Sequence, residues 1–219
     1  CIIGFAVGIV QTIPVEQKDN PVKKGFLWVV KLILNAYVEF FRGTPMMAQA
    51  MFIYFGLLPL LGVNMTMIQA ANFILSINTG AYMAEIVRGG IISVDRGQLE
   101  GAYSVGMTHA QAMVKVVIPQ VLQNILPSIS NEFVINIKDT SVLNVIGVTE
   151  LYYMAGVIKR INLQTFQVYT VICILYFILT FTVTRLLRLA EKKLAGSDNY
   201  TICGSGSDSQ AEIHIREAQ

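Results

Sequence analysis

Four ionisable side chains lie inside otherwise apolar stretches of this sequence: Glu85, Glu132, Lys138 and Asp139. A charge in apolar surroundings is costly, and it usually faces a water-filled cavity or a partner. Carboxylates such as Glu85 and Asp139 suit the binding of a cationic group, whereas hydroxyl and amide groups can donate to an anionic one. Donors of this kind stand beside Asp139, at Asn136, Thr140 and Ser141. The pattern predicts a binding site for a polar ligand.

A structural role is the alternative for the same charges. Lys138 and Asp139 are adjacent, so on a helix they point about 100° apart and do not pair directly with each other. They would then form ion pairs with Glu85, with Arg88 or with a second subunit, because buried paired charge is often structural.

A polar segment from Asp95 to Pro119 separates two long apolar regions. Asp95 with Gln98, and Thr108 with Gln111, have the spacing of two capping boxes that each open a helix. Gly106 has the position of a left-handed residue that ends the first helix, and Pro119 is expected to disturb or end the second. Leu99, Ala102 and Tyr103 have the spacing of one helix face. We expect a compact pair of short helices that either docks into another protein or packs as a simple hairpin.

Composition places the chain in a membrane. It has 219 residues, of which 54% are hydrophobic and only 14% are charged, whereas soluble domains carry roughly 25% charged residues. The charge-free stretch 161–184 exceeds the roughly 20 residues that cross a bilayer. The net charge of +2 is too small to indicate nucleic-acid binding. Its three cysteines and two histidines are scattered, so no metal-ligand spacing or catalytic constellation supports an enzyme.

The apolar stretches predict an all-α membrane protein with five transmembrane helices. The first is an N-terminal helix whose start is missing from this chain, and the others span about residues 44–60, 67–88, 120–145 and 161–185. Residues 25–41 are expected to form an amphipathic helix along the surface, and prolines are expected to break the rise from 112 to 137. The membrane domain would cover residues 1–195, followed by a polar, disordered cytoplasmic tail at 196–219.

Basic residues fix the expected orientation, because short cytoplasmic loops carry an excess of Lys and Arg. If the segment 95–119 is cytoplasmic, two basic residues, Lys159 and Arg160, lie outside. The cytoplasmic side then holds twelve: Lys18, Lys23, Lys24, Lys31, Arg42, Arg88, Arg96, Lys115, Arg185, Arg188, Lys192 and Lys193. The C-terminus is therefore predicted to be cytoplasmic.

The segment 95–119 resembles the signature of the permease subunits of bacterial ABC importers, which reads E-A-A, three residues, G, nine residues, I, one residue, L-P. The matching positions are Glu100, Ala102, Gly106, Val116, Ile118 and Pro119, with Gly101 in place of the second-position Ala. Further stretches resemble the polar amino acid (histidine/glutamine/arginine) type: FRGTP at 41–45, IYFG at 53–56, GAYMAEIVRGGI at 80–91 and NEFVINIKDTSVLNVIGVTEL at 131–151.

This resemblance implies a type I ABC importer fold in a bacterial inner membrane and a permease that is not itself an enzyme. A second permease subunit, identical or related, would complete the pathway, and an external substrate-binding protein would deliver a polar amino acid. Two cytoplasmic ATPases would bind ATP and Mg²⁺, so that this chain holds no cofactor of its own. Their coupling contacts would be Gln98, Glu100, Gly101, Ala102, Gly106 and Pro119, and the pathway would include Glu85, Asn136, Lys138, Asp139, Thr140 and Ser141.

Two features of the sequence agree with a separate ATPase. No G-x-x-x-x-G-K-[ST] loop occurs in this sequence, so it carries no Walker-type nucleotide site. The alternative is an ion-coupled secondary transporter that works alone, and such a carrier usually shows an internal repeat. The sequence has no detectable repeat of similar halves.

Overall fold

A computed structural model describes residues 2–13 and 20–194, and every regular element in these ranges is helical. The predicted polar tail at 196–219 lies outside the described residues. We number the helices in chain order: α1 (Ile2–Thr12), α2 (Pro21–Gly43), α3 (Met46–Leu60), α4 (Met67–Ile92), α5 (Arg96–Ser104), α6 (His109–Ile146), α7 (Leu151–Asn162) and α8 (Thr165–Leu194).

Two helices in the described part of the chain, α6 and α8, are long and apolar enough to cross a bilayer by length and composition alone, while α1 and α3 are shorter apolar helices. The last helix begins at Thr165 rather than near 161, because Leu163 takes a left-handed conformation (φ 56°) that ends α7 first. Helix α7 itself was not predicted as a separate element. Glu150 caps it by accepting hydrogen bonds from the backbone amides of Tyr152 (2.7 Å) and Tyr153 (2.6 Å).

The prediction that Pro119 disturbs its helix is confirmed, but the expectation that prolines break the rise from 112 to 137 was wrong, because no proline ends a helix there. Helix α3 continues through Pro59, and α6 continues through Pro119 and Pro127. At two of them the helix widens into a π-helical turn, at Phe52–Leu57 and at Met113–Val117. A proline ring crowds the carbonyl four residues earlier. Both crowded carbonyls lie in the widened turns, so the local π geometry accommodates the ring.

Helices α1 and α4 pack at close range through small residues. A Cβ atom added at Gly4 would stand 2.3 Å from the Cβ of Met83, and one added at Gly8 would stand 2.7 Å from the carbonyl oxygen of Ala84. Gly4 and Gly8 form a G-x-x-x-G pair, which allows two helix backbones to approach in a membrane. They face Gly80 and Ala84, which have the same spacing. The two helices run parallel, since Gly4 lies near Gly80 and Gly8 near Val87.

Three apolar clusters of buried residues involve α4 in the described part of the chain, and two of them lie at its opposite ends. One joins α3, the start of α4 and the 3₁₀ segment Thr140–Ile146 of α6, around Ile74 and Ile146. The other joins the end of α4 to the first half of α6, around Val87 and Val117. Leu99 of α5 packs against this second cluster, so the polar segment is attached to the helices that carry the charged residues.

Gly90 provides a test of this packing. A Cβ added there would stand 2.2 Å from Cγ2 of Ile125, whereas nothing lies within 4 Å of a Cβ added at Gly89 in the same helix. We expect Gly90→Ala to destabilise the protein by about 1–3 kcal/mol through overpacking. Gly89→Ala should leave stability unchanged or raise it slightly, because alanine favours the helix. Thermal unfolding of the two purified variants in one detergent checks the difference, and equal melting temperatures would contradict the packing.

Candidate functional site

The polar segment folds as two capped helices, as predicted, with two differences: the cap at its start, and the second helix, which is not short but continues to Ile146. Asp95 caps α5 by accepting a hydrogen bond from the backbone amide of Gly97 at 2.6 Å. The predicted capping box with Gln98 was wrong, because the backbone amide of Gln98 donates to the Asp95 carbonyl instead. The carboxylate turns toward the residue two positions on, as Asp does in an Asx turn.

The bend after α5 is fixed by backbone and side-chain hydrogen bonds. Gly106 has φ +82°, as predicted for the residue that ends α5. Its amide donates to the carbonyl of Tyr103 (2.9 Å) and the amide of Met107 to that of Ala102 (3.1 Å), which is a Schellman motif. The predicted capping box of Thr108 and Gln111 is also confirmed, with bonds of 3.3 and 2.9 Å.

A side-chain contact closes the angle between the two helices. The Tyr103 hydroxyl lies 2.8 Å from Nδ1 of His109. The predicted shared face of Leu99, Ala102 and Tyr103 was only partly right: Leu99 and Ala102 turn inward, while Tyr103 is 44% exposed. The surface that faces away from the protein presents Gln98, Glu100, Gly101, Val105 and Gly106. The bend is therefore a rigid, exposed knuckle with a single carboxylate, Glu100, at its centre.

A second polar cluster lies where α6 changes from α-helix to 3₁₀-helix at Thr140. The amide oxygen of Asn136 accepts a hydrogen bond from the Thr79 hydroxyl at 2.8 Å, and its nitrogen donates to the Glu132 carbonyl at 2.9 Å. Thr140 bonds back to the Ile137 carbonyl at 2.8 Å. The structure brings Asn136, Asp139, Thr140 and Ser141 together at one half-buried helix end, with Lys138 exposed beside them.

Glu85 belongs to a different environment. Its carboxylate accepts two hydrogen bonds from Arg88, one from Nε at 3.0 Å, and it lies 3.7 Å from a guanidinium nitrogen of Arg42. Glu85 follows Thr79 by six residues, so the two side chains point about 120° apart around α4. Glu85 therefore forms ion pairs with Arg42 and Arg88, as the structural alternative expects of a charge in an apolar stretch. Lys138 and Asp139, in contrast, form no ion pair within the described part of the chain.

Glu132 is a carboxylate to which the sequence assigned no role. It is 7% exposed and lies one turn before Asn136 on α6. The sequence does show that Glu132 is a charged residue in an apolar stretch. It does not show which of the charged side chains in such stretches is buried.

A buried amide pair holds the bend between α2 and α3. The Gln49 amide nitrogen donates to the carbonyls of Phe41 (2.9 Å) and Thr44 (3.0 Å), and Asn78 donates to the Gln49 amide oxygen at 2.9 Å. Gln49 and Asn78 are only 3% and 6% exposed. The bend interrupts the helical hydrogen-bond ladder, and these two side chains satisfy carbonyls that it would otherwise leave without donors. The pair thereby fixes the backbone at Arg42, because this residue lies between Phe41 and Thr44, whose carbonyls accept the bonds.

We expect Gln49→Leu to destabilise the protein by roughly 2 kcal/mol, because the Thr44 carbonyl loses its side-chain donor and the Asn78 amide keeps only its 3.4 Å bond to the Phe41 carbonyl. Asn72→Leu, an exposed amide on the neighbouring helix α4, is the matched control and should change stability by less than about 0.5 kcal/mol. Thermal unfolding of both variants compares them. A Gln49→Leu variant as stable as the control would show that the amide pair does not hold the bend.

The described geometry has counterparts in known proteins. Residues 24–196 match the family described as "Binding-protein-dependent transport system inner membrane component". This chain belongs to that family. The permease is 36% identical over 196 residues to the probable glutamine ABC transporter permease protein GlnM of Bacillus subtilis (strain 168), covering 90% of this chain and 88% of that one. It is 32% identical over 197 residues to the arginine transport system permease protein ArtQ of the same strain, covering 90% and 86%.

Solved structures agree on the fold. The permease superposes on a chain of the crystal structure of an amino acid ABC transporter with histidines, with a TM-score of 0.75, 38% identity and coverage of 88% and 84%. An inward-facing structure of the MetNI methionine ABC transporter has a TM-score of 0.63 at 20% identity, which supports the fold alone. The permease therefore is an all-α inner-membrane protein with the fold of type I ABC importer permeases, a non-catalytic component of a transport system. The ion-coupled alternative finds no support in these relatives.

Proposed function

We propose that this permease forms the pathway of an ATP-driven importer of a polar amino acid. The likeness to glutamine and arginine permeases over 90% of the chain carries the proposal. In this proposal the permease pairs with a second permease subunit, and a substrate-binding protein delivers the amino acid from outside. ATP and Mg²⁺ are bound by two ATPase subunits and not by this chain.

The knuckle at 95–119 is the proposed contact with the ATPase. Gln98, Glu100, Gly101 and Gly106 lie on its exposed surface, while Ala102 is buried beneath and Pro119 lies on α6 behind it. Its two capped ends and the Schellman bend make it rigid, so that a displacement of the knuckle moves α6 as well. Because α6 also carries Asp139, a movement at the ATPase would reach the substrate pathway through one helix.

The polar helix end at Asn136–Ser141 is the proposed ligand site in the pathway. Asp139 would hold the ammonium group of the amino acid, and the hydroxyls of Thr140 and Ser141 with the amide of Asn136 would donate to its carboxylate. Lys138 adds a cation beside them. Glu85 would act from the other face of α4, where two arginines accompany it.

The proposed orientation places the knuckle and the C-terminus in the cytoplasm. In this orientation the external side has two basic residues and the cytoplasmic side has twelve, which agrees with the excess of Lys and Arg in cytoplasmic loops. A Ser104→Cys variant in a background without the native cysteines tests it by labelling with a membrane-impermeant maleimide. Ser104 should be labelled only after the cell membrane is opened, and labelling in intact cells would reverse the orientation.

Uptake into cells that carry the complete transport system tests the substrate. We expect saturable uptake of one labelled polar amino acid, suppressed by an excess of the same or a closely related unlabelled one and insensitive to apolar amino acids. Uptake of apolar amino acids with no competition by polar ones would overturn the proposed specificity.

A further inference from the structure

Helix α2 carries a polar strip on one side and an exposed apolar arc on the other. Lys31, Asn35 and Arg42 follow one another at helical spacing, with Glu39 beside them. The apolar arc is formed by side chains that are 45–67% exposed: Phe26, Val29, Ile33 and Phe40. Because charged side chains of a membrane protein face water or a cavity rather than lipid, the polar strip marks the side of α2 that looks onto a polar space.

That space is a pocket between α1, α2 and α4. It has a volume of about 430 Å³, within the range of small-molecule sites. Apart from Val38, all its lining residues are polar or charged: Gln11, Lys31, Asn35, Glu39, Arg42, Glu85 and Arg88. It is separate from the cluster at Asn136–Ser141, none of whose residues lines it.

The charges of the pocket match a ligand that carries both signs. Lys31, Arg42 and Arg88 are cationic, and Glu39 and Glu85 are anionic. Arg88 is bound to Glu85, and Arg42 lies at 3.7 Å from the same carboxylate with its guanidinium also 5.7 Å from the centre of the Tyr82 ring. Glu39 forms no ion pair within the described ranges. Helix α2 therefore offers both donors to a carboxylate, at Lys31 and Arg42, and an acceptor to an ammonium group, at Glu39.

Gln11 supplies an independent sign that a ligand belongs here. Its amide nitrogen donates to Asn35 at 2.9 Å, but its amide oxygen is buried and has no hydrogen-bond partner. A buried acceptor without a donor costs free energy, and such groups are rare in native proteins. An ammonium group in the pocket would donate to this oxygen.

We propose that the pocket between α1, α2 and α4 is a second binding site for the zwitterionic head of a free amino acid. Arg42 and Lys31 bind the carboxylate, and Glu39 with the amide oxygen of Gln11 binds the ammonium group. The site rests on the proposed function, since the ligand is the class of molecule that the permease is proposed to move. It adds a holding position beside Glu85, which points about 120° around α4 from Thr79, the residue that bonds to Asn136 of the first site.

Binding of labelled L-glutamine and L-arginine to the purified permease–ATPase complex in nanodiscs, without ATP or binding protein, tests the site. N-acetylated forms of both amino acids, which have lost the ammonium charge, are the second ligands. We expect the wild type to bind the free amino acid at least tenfold more tightly than its N-acetyl form. In an Asp139→Asn background, which removes the ammonium contact of the first proposed site, Glu39→Gln should weaken binding of the free form about tenfold and remove this preference, because the ammonium contact of the second site is then lost as well.

Further variants in the same Asp139→Asn background separate the site from a general effect on the fold. Arg42→Gln should weaken free and N-acetylated forms alike, since both keep the carboxylate. Glu191→Gln, a carboxylate near the end of α8, is the control and should leave both affinities unchanged. If Glu39→Gln in the Asp139→Asn background keeps the preference for the free form, or if Asp139→Asn alone removes all binding, the second site does not exist.

The outcome is distinguishable from a failure of the proposed function. A wild-type complex that drives uptake of an amino acid but shows no binding dependent on Glu39 or Arg42 overturns the site alone. A wild-type complex that drives no uptake of any amino acid overturns the proposed function, and with it the identity of the ligand.

Discussion

Reversing the charge of Glu100 is expected to abolish association of the permease with its ATPase. Glu100 is exposed at the centre of the knuckle, on a helix whose two ends are fixed by Asp95 and Gly106. A carboxylate in such a position would meet a complementary surface, and like charges juxtaposed in an interface cost several kcal/mol. We therefore expect Glu100→Lys to weaken ATPase binding about 100-fold or more. Copurification and surface binding of the ATPase measure this change.

The control for this prediction is Glu191→Lys, which makes the same charge change near the end of α8. It should bind the ATPase as the wild type does. Both variants should reach the membrane in equal amounts, because neither residue is buried. Normal ATPase binding by Glu100→Lys would show that the knuckle is not the contact.

Removing the charge of Asp139 is expected to have the second large effect. Asp139 is half-buried where α6 becomes a 3₁₀-helix, and no cation within the described residues pairs with it. In the proposed pathway this carboxylate is the partner of the ammonium group, and bonds to charged groups are roughly twice as strong as neutral ones. We expect Asp139→Asn to lower the uptake rate at low substrate concentration about 100-fold. Transport assays with reconstituted complexes measure it.

Assembly separates this effect from misfolding. The Asp139→Asn complex should contain the ATPase in wild-type amounts and retain its melting temperature, because asparagine has nearly the same shape. Glu191→Gln, an equivalent change away from the pathway, should transport normally. Wild-type uptake by Asp139→Asn would remove Asp139 from the ligand site.

Local signals were enough to predict the knuckle. The capping box of Thr108 and Gln111 and the left-handed Gly106 depend on residues at most four positions apart, so their geometry follows from the sequence around them. Even here the Gln98 box failed, because Asp95 could bond to a nearer amide. The apolar runs likewise predicted the helical class, although the helix bounds moved.

Tertiary contacts determine the features of the fold that local sequence patterns do not predict. Pro59 and Pro119 are tolerated because a widened turn absorbs each ring, and packing keeps the helix continuous. The G-x-x-x-G pair of Gly4 and Gly8 has a packing role only because α4 lies against it, and the sequence does not show which helix that is. From the sequence, Glu85 and Asp139 were grouped as two carboxylates in apolar stretches. Residue spacing alone does not show that α2 and α6 pack against different sides of α4, so it could not predict that the two carboxylates lie in different environments.

Uptake by purified components in proteoliposomes tests the central claim most directly. The permease complex, with its binding protein and polar amino acid outside, is reconstituted with and without the ATPase, with ATP enclosed. We expect accumulation only when the ATPase and ATP are both present, and none when an ion gradient is imposed on the permease alone. Accumulation by the permease alone, driven by a proton or sodium gradient, would contradict the account.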